Sequence, residues 1–194
     1  MKGGIFFSFF CIMTLTVGIS PALAASTKAH ALANLIARDG RPVGTADFST
    51  TPHGVLIALD LRGLPPGPHS IQIHTSGNCD RKVAFTSAGP DLSLEPDRLH
   101  GLLAPRGGRA GDLPNQFAAS DGTLRASVIT NTISLGNGKK SIFDADGASI
   151  IVHAKADDYI TQPAGNSGDR IACGVIVRTV GPSARKGGAR ATHK

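Results

Sequence analysis

In "GPHSIQIHT", residues 67–75, polar and apolar residues alternate with the two-residue period of a β-strand. Side chains two apart on a strand share a face, so Gln72 and His74 project together, opposite Ile71 and Ile73. Two imidazoles at that spacing would chelate a metal ion. Here one of the two positions is an amide. His69 falls on the Ile71 side and reads as a hydrogen-bonding histidine of the interior, while His30, His53 and His193 sit at a strand end, a turn and a tail with no polar constellation around them.

The elements that must carry this pair are strands. "GVLIALDLRGL" puts Val55, Ile57, Leu59 and Leu61 on one face with Asp60 and Arg62 on the other, the pattern of a half-buried strand. "GTLRASVIT" after Asp121-Gly122, "ASIIVHA" after Asp146-Gly147 and "IACGVIVRTV" repeat it. "ALANLIARDG" has helical propensity, but it runs through Asp39-Gly40 into "PVGTADFST", which predicts a hairpin of two strands. Short strands with this punctuation predict an all-β sandwich or barrel. Two stretches, about 76–114 and about 154–170, are too long and too rich in glycine and proline to be simple connections, and long ordered loops usually carry function.

The first 24 residues hold one charge, Lys2, then an apolar run from Ile5 to about Ile19 and a small-residue ending Ala22-Leu23-Ala24. This predicts a secretory signal cut before Ala25 and a periplasmic or secreted mature chain; the alternative, a membrane anchor, is disfavoured by the short run. Removing the signal takes Cys11 with it. Cys79 and Cys173 remain in a compartment that tolerates disulfides, so the pair reads as a bridge rather than as two unrelated thiols.

The net charge of +6 suggests a polyanion partner until it is located. Arg185, Lys186, Arg190 and Lys194 lie in a Gly-rich tail, residues 181–194, that reads as disordered, and the body from 25 to 180 carries only +1. With one tyrosine, Tyr159, and no tryptophan, the chain has little surface for base stacking, which argues against nucleic acid.

The order and spacing of "GPHSIQIHTSGNC", "FTSAGPD", "HG" followed by "RAGDLPN", "IIVHAKADD" and "GNSGDRIACGVI" resemble the signatures of the Cu/Zn superoxide dismutases, from about Ala31 to Val177. The resemblance implies an eight-stranded Greek-key β-barrel with two long loops, and it supports the Cys79–Cys173 pairing. It also implies where the metals of such enzymes would sit. The four copper imidazoles correspond to Gln72, His74, Asp91 (the imidazole that bridges to zinc) and His153, so two of four survive. The zinc ligands correspond to Asp91, His100, Arg109 and Asp112, and arginine has no lone pair to offer. Asp157 matches the aspartate that links the two centres, and Arg170 matches the arginine that attracts the superoxide anion.

Dismutation needs a metal held with similar ease in two oxidation states, and nitrogen-rich tetragonal ligation does this for copper. An amide oxygen at 72 is a poor substitute, and an aspartate at 91 cannot release copper as an imidazole does and pass a proton to the departing peroxide. Arg109 suggests a replacement for zinc, with its guanidinium lying between Asp91 and Asp112. Three readings follow. The leading one is an exported structural or binding module with its metal sites largely lost, holding copper weakly or no metal at all, and no zinc. The others are a copper-binding protein without efficient turnover, and an active dismutase with superoxide as substrate and an atypical ligand set.

Overall fold

The computed structural model describes residues 29–179; the expected signal segment and basic tail lie outside them. The described residues form ten strands and two 3-10 turns. The first two, β1 (His30–Ala37) and β2 (Pro42–Thr51), are the hairpin read from "ALANLIARDG", and alternate burial along β1 confirms strand rather than helix. β3 (Gly54–Leu61) buries Val55, Ile57, Leu59 and Leu61 and exposes Asp60, which faces Arg125 across the ladder.

The remaining strands are β4 (Gly67–His69), β5 (Ile71–His74), β6 (Gln116–Ala118), β7 (Leu124–Thr130), β8 (Ser149–His153), β9 (Arg170–Val175) and β10 (Val177–Thr179). The curled eight-stranded sheet runs β5-β8-β9-β1-β2-β3-β7, with β10 on β1, and a separate β4–β6 pair precedes its two end strands. The crossovers β3 to β7 and β1 to β9 give the Greek-key arrangement. Its inner face packs Leu35, Phe48, Ile57, Ile71, Ile73 and Ile150, all 1 % exposed or less. Among the described residues no helix is long and apolar enough to cross a membrane.

Both expected loops are present, 75–115 and 154–169, and a third connection without strands, 131–148, joins β7 to β8. The first loop is tied down twice. Cys79 and Cys173 form a disulfide with their Cα atoms 5.7 Å apart, and the backbone of Leu92 and Gly111 pairs with Ile73 of β5. A Cβ on Gly111 would lie 2.1 Å from the Ile73 carbonyl oxygen, so only glycine lets the loop come this close. This pairing makes β5 an inner element, and all four of its residues are buried.

Candidate metal centre

The loop returns alongside β5 so that Asp91 stands opposite His74 and Asp112 opposite Gln72. His153 ends β8 and Arg170 begins β9, and the two face each other across that ladder. Two polar groups result, joined by Asp157.

The first group holds Gln72, His74 and His153, each 3 % exposed or less. The two imidazoles stack with their centroids 5.8 Å apart. His74 Nδ1 lies 2.9 Å from the Gly89 carbonyl and His153 Nδ1 3.2 Å from that of Gly168, which places the ring proton on Nδ1 and leaves Nε2 as a lone pair. Both Nε2 atoms are buried without a partner, as is Oε1 of Gln72. Burial, joined by the positive field of Arg170, pushes the pKa of His74 down to about 3 and that of His153 to about 4, so both rings are neutral at ordinary pH. The donor set therefore fits a copper ion, with fewer imidazoles than the resemblance requires.

Arg170 donates to the carbonyls of Phe85 and Gly89 at 2.7 Å each, bracing the segment between the disulfide and Asp91. His69 is an interior histidine as expected, with its two nitrogens 2.7 Å from the carbonyls of His153 and Pro65.

The second group has His100 at its centre. Its Nδ1 lies 2.9 Å from both Asp91 Oδ2 and Asp112 Oδ1, and its Nε2 lies 3.0 Å from Asp157 Oδ2. One proton cannot serve two carboxylates at once, so Asp112 Oδ1 is held by charge while Asp91 accepts the bond. Burial opposes a charge on His100, but its contacts with the carboxylates of Asp112, Asp157 and Asp91 overcome it and raise its pKa to about 11. Burial likewise opposes the charge on Asp91, and bonds from His100 and Arg109 overcome it and hold its pKa at about 2. Donor atoms of Asp91, His100 and Asp112 lie within 4.8 Å of one another, close enough to share a cation. The fourth position is Arg109, which supplies a charge instead of a lone pair.

The expectation that the Arg109 guanidinium lies between Asp91 and Asp112 is half met. It contacts Asp91 Oδ1 at 2.5 Å and the Arg98 carbonyl at 3.0 Å. Asp112 closes a turn back onto residue 109 and takes that residue's backbone N–H, with the N–H of Gly101, on its own Oδ2. The guanidinium is thereby directed to Asp91 alone.

Asp157 connects the two groups, accepting from Gln72 Nε2 at 3.2 Å and meeting His100 on the other side. Three residues that support it were not legible as site residues. Asn115 exchanges two hydrogen bonds with the Asp157 backbone, the Tyr159 hydroxyl accepts the Asn115 N–H, and Gln162 clamps the His100 backbone on both its N–H and its carbonyl. Asn115 lies in the "GDLPN" signature; Gln162 has no sequence signal.

Residues 43–176 match the family model for copper/zinc superoxide dismutase. A protein of Caulobacter vibrioides named superoxide dismutase [Cu-Zn] is 45% identical over 142 residues, covering 72% of this chain and 81% of that protein. A superoxide dismutase-like protein of Bacillus subtilis is 36% identical over 146 residues, covering 74% of each chain. The crystal structure of a SOD-like protein from Bacillus subtilis superposes with a TM-score of 0.70 at 36% identity, over 74% of this chain and 95% of that one.

Proposed function

Because the chain belongs to the copper/zinc superoxide dismutase family, we propose that it is an exported superoxide dismutase-like protein which keeps the barrel and the metal pocket but has no efficient dismutase turnover. The observation that carries this reading is Asp91. At the position where the family joins its two metals through an imidazole, this chain has a carboxylate already engaged by His100 and Arg109. No imidazole is there to leave copper on reduction and to hand on a proton.

The same engagement argues against zinc. At the zinc position a guanidinium and a doubly hydrogen-bonded imidazolium already balance two of the three carboxylate charges, and a divalent ion would have to displace the His100 proton while standing beside Arg109. His74 and His153 would hold Cu(II) weakly. The protein would then act as a structural or binding module of the export compartment.

Metal content and superoxide turnover of protein purified from that compartment test the reading together. The expected result is little Cu(II), no zinc and turnover far below that of a family member with all its imidazoles. Stoichiometric copper with near diffusion-limited turnover would establish an active dismutase instead, with Arg170 as the residue that guides the anion.

A further inference from the structure

Gln72 Oε1, His74 Nε2 and His153 Nε2 are three acceptors on one buried face, and none has a donor. Each is fixed as an acceptor by what its own side chain does elsewhere. The two Nδ1 atoms are committed to backbone carbonyls, and the Gln72 amide nitrogen is committed to the Asp157 carboxylate, which turns the amide oxygen away from it. An unpaired buried acceptor carries the full cost of its lost hydration. Three lone pairs without a hydrogen among them are relieved together by a cation.

The charge of the surroundings selects the cation. All three donors are neutral. Asp157 and Asp91, the carboxylates that border the donors, are both engaged by His100, and Asp91 by Arg109 as well, while the guanidinium of Arg170 shares the Gly89 carbonyl with His74. The desolvation cost of an ion rises with the square of its charge, so such a pocket penalises a dication far more than a monocation. Imidazole suits copper, and a tetragonal Cu(II) site asks for more donors than three.

We propose that Gln72 Oε1, His74 Nε2 and His153 Nε2 form a three-donor site selective for Cu(I) over Cu(II). Gln72 is then a ligand in its own right. His100 is the positioning residue behind it, because it holds Asp157 and Asp157 holds the amide. This rests on the reading of the chain as a non-dismutating family member, since a site that favours one oxidation state does not cycle between two.

The test is anaerobic titration of the full mature protein with Cu(I) against bicinchoninate, and of the same protein with Cu(II) against nitrilotriacetate. The expected result is one Cu(I) per chain, silent in electron paramagnetic resonance, with Cu(II) lost to its competitor. Gln72→Leu should weaken Cu(I) binding at least tenfold with an unchanged circular dichroism spectrum. Gln72→Glu, which adds a negative charge, should keep binding copper and move the preference toward Cu(II). Cu(II) held as tightly as Cu(I), an unchanged Cu(I) affinity in both variants, or no Cu(I) binding would overturn the assignment. Superoxide turnover is measured apart from these titrations: absence of both turnover and Cu(I) binding removes only this inference, whereas rapid turnover removes the function it rests on.

Discussion

His100 Nε2 and Asp157 Oδ2 meet at 3.0 Å with neither side chain reaching solvent, and this contact joins the charge network at the zinc position to the amide that faces the copper pocket. A protonated imidazole does here what a metal ligand does in the family: it holds the linking aspartate in place.

That arrangement has a pH signature in metal-stripped protein. The folded-state pKa of His100 is raised from 6.5 to about 11, so its contribution to stability is complete below pH 6.5 and is lost as the pH climbs toward 11. For Asp91, depressed from 3.8 to about 2, the contribution is complete above pH 3.8 and is lost as the pH falls through 2. Urea midpoints should therefore decline steadily between pH 6.5 and 11. His100→Asn should flatten that limb relative to the parent, and parallel declines in the two proteins would remove His100 as its cause.

The network also depends on a glycine. Gly165 has φ +61°, and a Cβ there would lie 1.7 Å from Asp157 Oδ1 and 2.8 Å from His100 Nε2. Gly165→Ala should cost about 3 kcal/mol or more, at the high end for a single substitution, because it displaces two buried charges from each other. Chemical denaturation at neutral pH measures it, and a loss below about 1 kcal/mol would mean that the loop relaxes without disturbing the pair.

The strands were legible because alternation carries the two-residue period of a sheet: Val55 to Leu61 and Ile71 to His74 fell where their patterns placed them, although the loop over β5 buries both faces of the second. Motif spacing pointed to Gln72, His74 and His153, which form one group, and to Asp91, His100 and Asp112, which form the group beside it, and the cysteines paired. What the sequence did not carry is how a long loop lies against a strand. The pairing of Leu92 and Gly111 with Ile73 decides that Asp91 and Asp112 flank β5, and it is made by backbone atoms that any residue possesses. For the same reason the partner of Arg109 was read only in part, and the contacts of the two His100 nitrogens with three carboxylates were not read at all. The 131–148 connection has no repeating pattern from which to read it.

Arg109 offers a second substitution with a clear sign. Arg109→His removes the guanidinium from Asp91 and puts a lone pair beside donors of Asp91, His100 and Asp112 that already lie within 4.8 Å of one another. Four donors of this kind suit Zn²⁺. The variant should bind one zinc ion per chain in chelator competition and gain thermal stability with added zinc, as expected for a ligand that binds only the folded state. The parent should show neither effect. Equal zinc binding by both proteins would show that the guanidinium does not exclude the ion.

The copper pocket allows the most demanding test, because its missing imidazoles are at two separable positions. Gln72→His restores a pair of imidazoles two residues apart on β5, beside His153, and a ring nitrogen can replace the amide as donor to Asp157. A third imidazole should raise Cu(II) affinity at least tenfold and reverse the preference for Cu(I). Turnover should remain low, because Asp91 still stands where an imidazole must leave the metal and carry a proton. Asp91→His alone should bind copper less well than Gln72→His, since it also takes a carboxylate from His100 and Arg109 and leaves a buried and a half-buried cation short of a partner. The double substitution should be the first variant with substantial dismutase activity, with Arg109 still opposing zinc. Copper titration and superoxide consumption across the four proteins separate the two roles. If Gln72→His gains no Cu(II) affinity, residues 72, 74 and 153 do not converge on one ion, and the site must be redrawn around the His100 network alone.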